Sequence, residues 1–169
     1  MTAFVVGMTG RGLLSSSGLR RQQPLKIRNR RPQSFAQRHL RGPRKMLTAV
    51  ATASATAVCR IAWAEAMAAL ARRSREYPAD ADAIATVRER LCADWGDYAI
   101  VEVTQTLVER AGEYADTFAL RGYDSVQLAA AHILSSASPE PVQFACFDRR
   151  LTNAARVLSL EPPFAAGPS

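Results

Sequence analysis

With 169 residues, 48% of them apolar, and no run of about 18 apolar residues, the chain reads as one globular domain with a core and predicts no membrane partner. Its three cysteines, Cys59, Cys92 and Cys146, are odd in number, widely separated and without metal-ligand spacing, which predicts reduced thiols in a cytoplasmic protein. The formal charge of +7 divides unevenly: residues 1–45 hold 11 Lys and Arg and no acid, whereas residues 46–169 hold the other 11 against all 15 acids, a balance of −4.

Residues 1–45 show little helical period, and strand alternation only over Ala3–Val6. Glycines and prolines interrupt the segment, and basic runs such as Lys26-Ile27-Arg28-Asn29-Arg30-Arg31 repel themselves, so it is expected to be disordered or poorly packed. Three readings of it stand open. It can be an arm whose arginines neutralise nucleic-acid phosphates, an acid-free leader carrying Arg and Ser, or sequence read in a shifted frame or from upstream of the true start.

From Met46 the character changes. The small apolar stretch Met46–Val58 suits a short helix followed by a strand. Arg60–Arg75 has helical spacing, with Ile61, Ala64, Ala68, Leu70 and Ala71 as a packing stripe and a basic last turn. Pro78 opens a second helix to about Trp95, with Ile84, Val87, Leu91 and Trp95 on one face. Tyr98–Val103 is a β-branched strand. Thr104 then caps a helix over Gln105–Phe118, whose apolar face holds Leu107, Val108, Ala111, Ala115 and Phe118. A helix over Leu120–Leu134 has apolar residues on most of its surface, which predicts burial. Val142–Phe147 is a short buried strand, Arg149–Leu158 a final helix, and residues 162–169 a tail. Strands alternating with helices imply an α/β fold with a mostly parallel sheet.

Three acids stand where chemistry is plausible, each with a plainer reading beside it. Glu65 lies on the stripe of Ile61, Ala68 and Ala69, where a carboxylate is costly without a partner, unless it reaches solvent at the stripe's edge. Asp124 stands in the first turn of its helix, as a cap or aimed into a cleft. Asp148 follows a strand directly, as an N-cap or at the strand end where open α/β sheets bind ligands. Carboxylates gathered from separate elements repel one another and typically hold a hard divalent cation such as Mg²⁺ or Mn²⁺, which activates water against a phosphate.

Three stretches carry a family resemblance: Arg60–Leu70 (RIAWAEAMAAL), Leu120–Leu134 (LRGYDSVQLAAAHIL) and Phe144–Leu151 (FACFDRRL). In that order they resemble a PIN domain, in particular a VapC-type toxin of a toxin–antitoxin pair, over about residues 46–161. The resemblance implies an α/β/α sandwich and a Mg²⁺- or Mn²⁺-dependent endoribonuclease. It also implies catalytic and metal-binding acids at Glu65, Asp124 and Asp148, with Arg149 and Arg150 at a commonly basic position near RNA phosphate. Its partners would be a cognate antitoxin, an RNA substrate and a second copy of the chain. A catalytically inactive relative that still binds antitoxin or RNA is the alternative.

Two departures bear on that expectation. The family opens with a strand ending in Asp, a central metal ligand; here Phe4-Val5-Val6-Gly7-Met8-Thr9 is the strand-like opening, Gly7 stands at the acid's place, and no Asp or Glu precedes Glu65. The second is Gln127, where the related motif often has His. An acid-free, Arg-rich tract joined abruptly to a family-like stretch favours the frame or start reading of residues 1–45. Reading all frames upstream of Met46 for an Asp-Thr-Ser-like strand tests it.

Overall fold

A computed structural model of the chain describes residues 5–8, 49–51 and 53–163, the first of these as backbone only. The strands are β1 (Val5–Met8), β2 (Ala55–Cys59), β3 (Ala99–Val101) and β4 (Val142–Ala145). The helices are α1 (Ile61–Glu76), α2 (Ala81–Asp94), α3 (Gln105–Phe118), α4 (Gly122–Ala137) and α5 (Arg149–Val157), with 3₁₀ turns at Pro78–Asp80 and Trp95–Asp97. The fold is α/β, and none of the described helices is long and apolar enough to cross a membrane.

The sheet has the order β3-β2-β1-β4. β2 and β3 pair in parallel, Val58 opposite Ile100. β1 lies antiparallel between β2 and β4, with Val6 opposite both Ala57 and Phe144. β2, β3 and β4 therefore point one way and β1 the other, which corrects the mostly parallel sheet expected from the sequence: two of its three pairings are antiparallel. Helical crossovers fix the directions of β2, β3 and β4. β1 has no such constraint in its sequence, because side-chain alternation is the same whichever way a strand runs. β1 also falls inside the segment expected to lack order; the rest of residues 1–45 lies outside the described residues, and with it that expectation.

The core lies on the sheet face covered by α3, α4 and α5. Alternation sends Ala57 and Cys59 of β2, and Val142 and Phe144 of β4, to that face. There they meet Leu128, Ala129, Ala131 and Leu134 of α4, with Leu151 and Ala155 of α5 completing the layer. The small residues of α4 (Ala129-Ala130-Ala131, all nearly inaccessible) let α3 approach closely through Leu107 and Ala111. α4 is buried on most of its surface, as its apolar run predicts. Leu160 is fully buried beyond α5, and the Phe144 N–H donates to the Glu161 carbonyl at 2.9 Å, so Glu161 lies along the edge of β4.

Local signals explain several boundaries. The Thr104 hydroxyl accepts the Leu107 N–H at 3.3 Å, capping α3 as its sequence predicts. α3 ends where Ala119 takes a left-handed conformation with φ 50°. Arg73 closes the far end of α1, bonding Asp80 at 2.6 Å and lying 3.8 Å over the Tyr77 ring. Two faces differ from expectation. No residue of α1 is fully buried, and Ala64 and Ala68 are exposed. α1 instead meets the end of α2 through Trp63 and Trp95, edge to face with centroids 4.9 Å apart. On α3, Val108 is 44% exposed and Tyr114 takes its place in the packing, because the helix presents 107, 111, 114 and 118 along one line.

This topology makes one edge of the sheet special. The C-terminal ends of β2, β3 and β4 share it, α1 and α5 leave from it, and the N-terminus of α4 lies there before the helix runs back towards the start of β4. Glu65, Asp124 and Asp148 all belong to elements that begin at this edge.

Candidate functional site

Glu65 sits in the second turn of α1 and is half-buried. Its partner is Gln127: the Gln127 Nε2 donates to Glu65 Oε2 at 2.6 Å, across 62 residues of sequence. Gln127 itself is only 2% exposed. Burial pushes the Glu65 carboxyl above its ordinary pKa; the Gln127 donor works against this, and the charge of Asp124 adds to it. The partner that the alanine face demands is thus an uncharged amide.

Asp124 lies in the first turn of α4, half-buried. It does not cap the helix: the N-cap position is Arg121, without a side-chain cap. Ser125 turns back within the same turn, its hydroxyl donating to the Gly122 carbonyl at 2.8 Å. Burial raises the Asp124 pKa, the charge of Asp148 raises it further, and Arg121 offsets part of the effect.

Asp148 bears out one of its two sequence readings, the cap. Its Oδ1 accepts the Leu151 N–H at 2.9 Å, so it is the N-cap of α5. Its backbone carbonyl accepts the Thr152 hydroxyl at 2.8 Å. At the same time its charge is felt by Asp124.

Asp124 is therefore the shared member of two repelling pairs, one with Glu65 and one with Asp148. Among the described residues no three His, Cys, Asp or Glu side chains come together closely enough to hold a metal ion. The two statements are compatible, because charges interact over distances well beyond the roughly 2.0–2.6 Å of carboxylate–metal bonds. The donor set is one of hard carboxylate oxygens under mutual repulsion, and in kind it fits Mg²⁺ or Mn²⁺. In closure it falls short. One oxygen of Glu65 is taken by Gln127 and one of Asp148 by the α5 backbone.

The orientation of β1 explains why no fourth acid can complete the set from the first strand. Met8, at its C-terminal end, pairs with Ala55 and Val142, the first residues of β2 and β4. Gly7, opposite Thr56 and Gln143, thus lies towards the edge away from the acids. At the acid edge β1 offers Val5, opposite Ala145. An acid placed at Gly7 would sit at the wrong end of this sheet.

The basic pair behaves asymmetrically. Arg150 donates from Nη1 to the Ala119 carbonyl at 3.0 Å, tying α5 to the left-handed end of α3. Arg149 is exposed in the first turn of α5, beside the capping Asp148. The aromatics preceding two of the acids, Tyr123 and Phe147, are 60% and 51% exposed. Gln127 is the member of the site that reading the sequence missed as a participant, though a buried amide three residues after Asp124 shares its helix face, and that spacing was a usable signal.

No protein-family model, curated protein or solved structure matches the chain.

Proposed function

We propose that the chain is a PIN-like protein of the VapC toxin type, built as a Mg²⁺- or Mn²⁺-dependent endoribonuclease with an incomplete acid site. The observation that carries this reading is the placement of Glu65, Asp124 and Asp148 on elements that begin at one end of the sheet, with Asp124 half-buried there. The three acids that the sequence singles out come from α1, α4 and the start of α5; the charge of Asp124 raises the Glu65 pKa, and the charge of Asp148 raises that of Asp124. That is the arrangement a cation would relieve.

Glu65, Asp124 and Asp148 would hold the ion. When bound, a hard divalent ion lowers the pKa of coordinated water and offsets charge on an RNA phosphate. The chain's own residues do the rest. Gln127 fixes one oxygen of Glu65, and the N-terminus of α5 fixes one oxygen of Asp148. Arg149 stands at the same edge with its guanidinium available to phosphate. The PIN-like α/β/α sandwich, the antitoxin that would block the cleft and the homodimer belong to this same proposal.

A second reading has its own support. The first strand supplies no acid at the site's edge, which favours a catalytically inactive PIN-like protein that still binds antitoxin or RNA. Cleavage of a panel of structured RNAs with Mn²⁺ and with chelator separates the two. Metal-dependent cutting supports the nuclease; RNA binding without cutting supports the inactive binder.

A further inference from the structure

Further along α4 than the acid edge, the helix makes a polar contact with α3 that the proposed site does not use. The Tyr114 hydroxyl is hydrogen-bonded to His132 Nδ1, across 18 residues of sequence. The two ring centroids lie 5.9 Å apart, and Tyr114 packs at the same time on Phe118 at 5.7 Å. Both bonded residues are half-buried, beside a seam lined by Leu107 and Ala111 of α3 and Ala129 and Ala130 of α4. Arg110 stands one turn before Tyr114 on α3, and its positive charge acts on both Tyr114 and His132. Glu113, exposed on α3, acts on Tyr114. Among the described residues, no ionisable group of β2, β4 or α5 acts on either ring.

The direction of the bond follows from where the protons are held. Burial pushes the Tyr114 phenol above its already high pKa, so it keeps its proton and donates. His132 then accepts at Nδ1, which requires neutral imidazole with its proton on Nε2. Burial and the charge of Arg110 both favour that neutral form. A second proton would occupy the Nδ1 lone pair, turn two donors towards each other and set a cation beside Arg110.

We infer that Tyr114 and His132 form a pH-sensitive clasp between α3 and α4, closed while His132 is neutral and released when it takes up a proton. The clasp does not rest on the proposed nuclease. Its sign is set by the histidine. A His whose folded pKa lies below the unfolded value of about 6.5 contributes stability that is complete above that value and is lost as pH falls through the folded value. Tyr114 belongs to the last part of α3, shortly before the left-handed Ala119 that ends the helix, so release loosens this end of α3 against α4.

The test is a double-mutant cycle on the full chain with Tyr114→Phe and His132→Leu, unfolded by urea at about pH 7.5 and at about pH 5. Tyr114→Phe removes the hydroxyl and keeps the ring on Phe118. At the higher pH the two positions should be coupled by about two- to tenfold in the unfolding constant, the range of one net hydrogen bond. At the lower pH the coupling should fall to near unity. Equal coupling at both pH values, or none at the higher one, would overturn the inference. A second measurement needs no disruptive variant: the ring ¹⁵N resonances of His132 are titrated by NMR in a His39→Gln background, which removes the chain's other histidine. Tyr114→Phe should raise the proton affinity of His132 by about two- to tenfold, because it takes away the donor that holds the ring neutral. Arg110→Gln should raise it too. A titration midpoint unmoved by Tyr114→Phe would overturn the clasp even if His132→Leu does not fold.

Discussion

Asp124 and Asp148 stand in one electrostatic field: burial raises the pKa of Asp124, and the charge of Asp148 raises it again. Each is placed by its own helix start, one in the first turn of α4 and the other as the cap of α5. Asp148 is held in place by its bond to the Leu151 N–H, so its charge stays at the start of α5.

A pH dependence follows from this pair, and its sign is fixed. A carboxyl with a raised folded-state pKa binds its proton more tightly in the native state than in the unfolded chain. Stability contributed by that group is highest below the unfolded value, near pH 4, and falls as pH rises towards the raised folded value. Above that window the native state carries the full repulsion. Asp124→Asn should reduce the slope, leaving the part that the burial of Glu65 contributes with the same sign, and slightly raise the melting temperature at neutral pH. His132, whose pKa is lowered by burial and then by Arg110, contributes a slope of opposite sign, so the wild-type minus variant difference is the quantity to follow. A melting curve series from pH 4 to 8 reads it; a variant less stable than wild type at pH 7 would contradict the repulsion.

Asp148 allows a paired prediction, because capping and charge separate chemically. Asn caps helices about as well as Asp, whereas Ala does not. Asp148→Asn should keep the bond to the Leu151 N–H, relieve Asp124 and leave stability equal or higher. Asp148→Ala should lose the cap and cost about 1 kcal/mol, less whatever the relief of Asp124 returns. Urea unfolding of both variants separates the effects, and equal losses in the two would mean that the cap is not what Asp148 supplies.

How much of this was legible beforehand depends on the range of the interaction. Thr104 as a cap, the buried run of α4, the strand before Asp148 and the boundaries of α3 all follow from residues within a few positions of one another. The Glu65–Gln127 bond joins residues 62 apart, and its need was readable while its partner was not: an acid among alanines requires a donor, but nothing local names which. The Arg150 bond to the Ala119 carbonyl was hidden for the same reason, since it depends on how α3 and α5 pack. The direction of β1 was illegible in a stronger sense. A four-residue strand alternates alike in both directions, and no crossover helix dictates its sense. That direction decides whether a first-strand acid can reach the site.

The core offers a prediction independent of function. Leu128 is fully buried on the face of α4 where the sheet and α5 meet. Leu128→Ala should cost about 2–5 kcal/mol, the range for a leucine whose cavity cannot collapse. Chemical denaturation monitored by Trp63 and Trp95 fluorescence checks it. A loss below about 1 kcal/mol would mean that α4 is not the central element of the core.

RNA binding by the full chain should be dominated by residues 1–45 and be unspecific. If their 11 cationic side chains engage six or more phosphates, affinity should fall on the order of 10³-fold between about 50 and 200 mM salt, through counterion release. Filter binding across a salt series measures the slope. A flat slope with sequence-selective affinity would place recognition in the folded body and not in the basic segment.

The last prediction concerns catalysis. In the proposed site three carboxylates would supply the charge for a divalent ion, but two of them already share an oxygen with a protein donor, and the first strand adds no acid. Ion affinity depends on the number and charge of the ligands, so the site should hold Mn²⁺ weakly, with water in the remaining positions. Hydrolysis of a phosphodiester also requires accurate placement of the attacking water, and an error of about 1 Å can cost on the order of 100-fold in rate. The chain should therefore cut RNA very slowly or not at all, and saturating Mn²⁺ should restore little, because it fills the site without correcting its geometry. The measurement is cleavage of an RNA panel across a Mn²⁺ titration, with thermal stability followed in parallel. A rise in stability with Mn²⁺ and no turnover is the expected result. Robust, chelator-sensitive turnover abolished by Asp124→Asn would show that Glu65, Asp124 and Asp148 suffice, and the view of the site as incomplete would have to be abandoned.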